Sequence, residues 1–80
     1  MEKMPELTYG QKAVGLTFNP SGDERVQKVK ELFAQAIDLM VEVRNEQTTW
    51  PSERSRLASV AITEAQTAQM WAVKAITWKD

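Results

Sequence analysis

From Val26 onward, apolar residues return at every third or fourth position: Val26, Val29, Leu32, Phe33, Ala36, Ile37, Met40 and Val43. Steps of that size follow the roughly 3.6-residue turn and gather the side chains on one face, so the spacing predicts an amphipathic helix. Ser21-Gly22-Asp23-Glu24 supplies a start signal. In a capping box the Ser21 hydroxyl accepts from the Glu24 amide, while the Glu24 carboxylate reaches back to the Ser21 amide. Asp23 and Glu24 also suit the positive end of the helix dipole. The helix is expected over about 22–46.

Gln47-Thr48-Thr49-Trp50-Pro51 breaks the pattern. Proline is tolerated in a first helical turn and disfavours helix in the residue before it, so a second helix starts close to Pro51. From there to Trp78 the chain has neither Gly nor Pro, and a second helix over 51–78 follows. Leu57, Ala61, Glu64, Ala68, Trp71, Ala75 and Trp78 form a heptad seam with one polar interruption. Ala58, Ile62, Ala65, Gln69, Ala72 and Ile76 make a second row beside it. The short connection folds the two helices into an antiparallel hairpin. A hairpin encloses one seam, yet the second helix offers two apolar rows. The surplus surface is a patch that calls for a partner, and its alanines suit close helix approach. A homo-oligomer, at least a dimer, is expected.

Residues 1–20 lack the helical period and carry Pro5, Gly10, Gly15 and Pro20. Val14, Leu16 and Phe18 alternate with small or polar neighbours, which predicts an extended arm with a short strand or turn around Gly10. The chain thus divides into an arm, 1–20, and a hairpin domain, 21–80. The fold class is all-α.

Composition narrows the function. Eighty residues make one domain, near the lower limit for a chain that folds alone. A formal charge of −1 argues against a general binder of DNA or RNA polymers, so any anion site is local. Cysteine and histidine are both absent, which removes disulfides, thiol nucleophiles, the usual zinc sites and the commonest general base. The N-terminus has no apolar core of a signal peptide, and no apolar run approaches the ~20 residues that span a bilayer. A protein free of membranes and placed in the cytoplasm is expected.

Enzymatic constellations are weak. Asp38 and Glu42 lie one helical turn apart among other charges and read as a solvated face. There is no phosphate-cradling Gly-rich loop, and no nucleophile has a base beside it. No enzyme, metal or cofactor is expected. Phe18-Asn19-Pro20 with Lys28 and Lys30 is the sharper case. These residues either cap the hydrophobic seam and face solvent, or form a clamp in which the ring stacks on a nucleobase and the lysines meet phosphate. Arg54 and Arg56 form a second basic cluster at the start of helix two. Cations oppose the dipole there unless an anion is shared between them. Trp71 and Trp78 on the heptad seam read as core or interface.

The arm YGQKAVGLTFNPSGDERVQKVK and the helix RLASVAITEAQTAQMWAVKAITW resemble the small phage proteins that inhibit CBASS immunity by soaking up its cyclic oligonucleotide messengers. FNPSG, the V-x-x-V-K helix start and the late A-x-M-W-A-V-K-A run carry the likeness, from Tyr9 to Trp78, and it is to the version of T4-like phages. The resemblance implies helical hairpins behind an N-terminal arm, assembled as hexamers. It implies binding of cyclic dinucleotides such as cyclic GMP-AMP at one kind of pocket, and of cyclic trinucleotides at another, without cleavage, in the host cytoplasm. Carried over, Phe18 would stack on a base, Lys30 or Lys28 would meet phosphate, and Arg56, with Arg54 beside it, would serve the larger ligand. The rival expectation is a protein–protein interaction module acting on a host or phage protein through the tryptophan-rich seam.

Overall fold

The computed structural model describes residues 6–46 and 52–80. Among them the chain is all-helical: α1 (Tyr9–Ala13), α2 (Glu24–Asn45) and α3 (Glu53–Thr77). α2 and α3 form the hairpin, and α1 packs back on α2. The expected break at Trp50 and Pro51 lies outside the described residues. Among the described residues no helix is long and apolar enough to cross a membrane.

The extended arm is corrected. Tyr9–Ala13 is a helical turn closed at both ends, and its caps explain how five residues hold helix. At the start, Gln11 N donates to Thr8 Oγ1 (3.1 Å) and Thr8 N donates to Gln11 Oε1 (2.9 Å), a complete capping box. At the end, Gly15 takes φ +62°. Leu16 N then donates to Gln11 O (3.0 Å) and Gly15 N to Lys12 O (3.1 Å), the paired bonds of a Schellman motif. The alternation of Val14, Leu16 and Phe18 therefore belongs to a helix end and the loop after it, with Val14 buried.

The start of α2 is corrected as well. Asp23, and not Ser21, is the N-cap: its Oδ1 accepts from Arg25 N (2.8 Å). Gly22 at φ +67° turns the chain between the two, so Ser21 is carried out of the capping position. Ser21 Oγ instead donates to Asn19 Oδ1 (2.7 Å) and accepts from Asp23 N (3.1 Å). Asn19 Nδ2 donates onward to Asp23 O (3.1 Å). The loop is tied up by its own side chains.

The core is small. Val14, Ala34, Ile37 and Ile62 are buried together, with Leu16, Phe33, Met40, Val41 and Ala65 against them. On α2, Ala34 replaces the expected Leu32 and Ala36, both of which are exposed. On α3 the inward row is Ala58, Ile62, Ala65 and Gln69, while Leu57, Trp71 and Trp78 of the heptad seam are exposed. One partner helix covers one stripe, and the row with the smaller side chains allows the closer approach. α1 approaches closer still. Gly10 is buried against Ala34, and its N–H donates to Asp38 Oδ1 (2.7 Å). The carboxylate that read as solvated is half-buried and holds α1 in place.

Candidate functional site

The loop between α1 and α2 ends over the C-terminal half of α3 and encloses a cavity of about 290 Å³. Phe18, Asn19, Pro20 and Ser21 wall it from the loop, Val26 and Lys30 from α2, Val73 and Thr77 from α3. Phe18 keeps most of its surface in solvent, at 70 % exposure, so its ring is available to a ligand. The cavity is somewhat below the ~300–1,000 Å³ typical of small-molecule sites. One ring fits; a larger ligand would extend beyond the rim.

Among the described residues Lys30 is the only charged side chain on this wall, and it is almost fully buried. A lysine buried without partners would be costly. Here the ammonium is met by the loop, donating to Gly15 O (3.0 Å) and to Phe18 O. It also lies 5.7 Å from the centre of the Phe18 ring. An ammonium has three protons, and two are used by these carbonyls. Lys30 therefore fastens the loop that presents Phe18, with one proton left for an incoming acceptor.

The remaining polar atoms are largely committed. Asn19 and Ser21 are bound to each other and to the α2 cap. Thr77 Oγ1 donates to Val73 O (2.9 Å), which leaves its lone pairs as acceptors at the rim. The cavity is thus an apolar slot with a ring on one side, acceptors at its edge and one shared cation within.

Of the residues expected from sequence, Phe18, Asn19, Pro20 and Lys30 are brought together. Lys28 is exposed and off the cavity wall. Arg54 and Arg56 begin α3, at the hairpin's opposite end from Val73 and Thr77. Each has a carboxylate: Arg54 lies 3.5 Å from Glu46, and Arg56 Nε donates to Glu53 Oε1 (2.9 Å). The Arg56 hydrogen bonds hold the Glu53 carboxyl below its ordinary range. Glu53 is thus the anion that offsets the unfavourable dipole for Arg56. Asp23 is likewise lowered by its hydrogen bonds to Arg25, whose guanidinium is 3.0 Å away.

Sequence reasoning missed Val73 and Thr77. Both lie within the A-x-M-W-A-V-K-A run and just after it, but only the fold of the hairpin sets them opposite Phe18.

A second cavity of about 350 Å³ opens on the outer face of α3 between Thr67, Met70, Trp71 and Lys74. The Lys74 ammonium sits 5.3 Å from the Trp71 ring and 5.9 Å from the Trp78 ring.

Among protein families, the chain matches the one described as Acb2/Tad1, hairpin domain, whose model covers residues 11–77. The matched span contains the Phe18 loop, both long helices and every residue of the cavity wall. No curated protein and no solved structure matches the chain.

Proposed function

The chain belongs to the Acb2/Tad1 hairpin-domain family, and from that premise we propose that it is a phage anti-defence protein that captures host cyclic di- and trinucleotide messengers, such as cyclic GMP-AMP, and holds them uncleaved so that CBASS effectors stay inactive. The observation that carries the reading is the Phe18 cavity: an exposed ring beside an apolar slot, with a lysine ammonium at its back. A nucleobase stacks on such a ring, and phosphate takes up the charge that remains. Capture by stoichiometric binding needs affinity rather than chemistry. A nanomolar dissociation constant corresponds to ~12 kcal/mol, within reach of two-sided stacking and several charge-assisted contacts on a prearranged wall.

Assembly belongs to the same proposal. Leu57, Val60 and Met70 are exposed along α3, an apolar face that a second copy would cover. A homohexamer working in the host cytoplasm is the form we propose. Two copies could then close on one ligand that overfills a single slot.

The exposed indoles of Trp71 and Trp78 favour a second reading, a module that grips a host or phage protein through Trp71 and its neighbours. One experiment separates the readings. The protein is incubated with cyclic GMP-AMP, heat-denatured, and the released nucleotide is resolved by chromatography. Stoichiometric loss from solution with intact recovery supports capture, and a linear product refutes it. No uptake favours the interaction module. Phe18→Ala should weaken uptake while assembly persists, whereas the interaction module predicts loss of activity only on Trp71→Ala. Lys30→Ala is the poorer probe, since it also releases the loop.

A further inference from the structure

A ligand with two phosphates asks for more positive charge than the Phe18 cavity offers. Lys30 has two of its protons on loop carbonyls. Arg25 is paired with Asp23, and Arg54 and Arg56 sit at the far end of the hairpin with carboxylates of their own. Lys28 is two positions from Lys30, and residues that far apart on a helix do not share a face. The slot can hold a base but meets an anion with one shared proton. A further cation has to come from the rim.

α3 carries one there. Lys74 follows Val73 directly and precedes Thr77 by three positions, and residues three apart are neighbours on a helix surface. Val73 and Thr77 line the Phe18 cavity and Lys74 lines the outer one, so Lys74 stands on the face of α3 next to theirs. Among the ion pairs of the described residues it has no carboxylate partner. Its charge instead rests against the rings of Trp71 and Trp78. Both indoles are largely exposed, so this cation–π contact is weak beside a charge-assisted bond to phosphate.

We propose that Lys74 is a phosphate-binding residue of the Phe18 cavity, parked between Trp71 and Trp78 until an anionic ligand draws it to the rim. The assignment rests on the cyclic-nucleotide reading above. Release of Lys74 uncovers two indole faces, so ligand capture and a change in the tryptophan environment are one event.

The test is calorimetric titration of the full-length protein with cyclic GMP-AMP over a range of salt, in the wild type, Lys74→Met and Lys74→Arg, with intrinsic tryptophan emission recorded alongside. Lys74→Met should weaken binding roughly tenfold or more, the loss of a hydrogen bond to a charged group. It should also flatten the dependence of log Kd on log salt, because one fewer cation faces the phosphates. Lys74→Arg should restore most of both. Ligand should shift the emission of the wild type and leave that of Lys74→Met nearly unchanged. Because Lys74 is exposed, elution volume and Tm should match the wild type in both variants. Wild-type uptake that Lys74→Met leaves unaltered in affinity and salt slope overturns the assignment alone. Absence of uptake by the wild type overturns the sequestration reading and this assignment with it.

Discussion

Gly10→Ala tests the docking of α1, the feature on which the cavity wall depends. A β-carbon at Gly10 would stand 2.7 Å from Asp38 Oδ1 and 2.9 Å from the Ala34 carbonyl carbon, and closer still to that carbonyl's oxygen. The obstacle is the backbone of α2, which cannot rotate aside as a side chain would. α1 must lift. Lifting breaks the Gly10 N–H bond to the Asp38 carboxylate, worth about 1.5–3 kcal/mol. It also exposes much of Val14, which is 4 % accessible in the native state, for about 1.5–3 kcal/mol more. Alanine's better helix propensity returns about 1 kcal/mol. The net loss is about 2–5 kcal/mol. At ~4–8 °C per kcal/mol for a domain of this size, Tm should fall by roughly 8–40 °C.

Gly22→Ala is the matched control. Gly22 has positive φ, which Gly10 within α1 does not, and nothing lies within 4 Å of its β-position. The penalty there is backbone strain alone, about 1–2 kcal/mol. Thermal unfolding of both variants by far-UV circular dichroism decides the matter. A Gly10→Ala protein that melts with the wild type, or above Gly22→Ala, refutes the reasoning.

Three further outcomes follow from the same coordinates. Phe18→Ala should lower affinity for cyclic GMP-AMP by about 1–3 kcal/mol per stacked base, measured by calorimetry, with Tm unchanged because the ring is exposed. Ser55 Oγ is buried with no hydrogen-bond partner among the described residues, so Ser55→Ala should leave Tm equal or higher, relieving a cost of about 1–3 kcal/mol. Asp23 and Glu53 have carboxyl pKa values depressed by Arg25 and Arg56, so their stabilisation is present above the ordinary values of 3.8 and 4.5 and is lost as pH falls through the folded ones. Tm should therefore stay level near neutrality, where this stabilisation is fully present, and decline only in acid, and Asp23→Asn with Glu53→Gln should shallow that acid limb.

The hairpin was legible because α2 and α3 each run for several turns, long enough for a helical period to outweigh any accident of spacing. α1 was not, for the same reason turned round. Five residues hold too little of a period to register, and Val14, Leu16 and Phe18 happened to imitate a strand. Its signals were in the end residues: Thr8 and Gln11 at capping-box spacing, then Gly15 before an apolar residue. The same spacing at Ser21 and Glu24 misled, because Gly22 turns the backbone between them. On α3 two apolar rows competed, and the heptad spacing pointed to the row with Trp71 and Trp78, although the row of Ala58, Ile62 and Gln69 packs. Within the site, Phe18 to Lys30 is one continuous stretch and could be read. Lys30's burial could not, since its acceptors arrive on a loop set by α1.

That dependence connects the core to the cavity wall. α1 is held to α2 by Gly10 against Ala34, and it ends in a Schellman turn at Gly15. The turn leaves Gly15 O unspent by the helix, and this is one of the two carbonyls that receive Lys30. The other belongs to Phe18, and Phe18 N itself donates to Gly15 O at 2.9 Å. Helix end, ammonium and ring backbone thus share one small network, so displacing α1 displaces the ring. A binder that works by stoichiometric capture has no turnover to compensate for a loosely held wall, and every residue ordered in advance is entropy the ligand need not supply. The buried lysine is then explained by position as much as by charge: it keeps an exposed phenylalanine aimed at the slot before any ligand arrives.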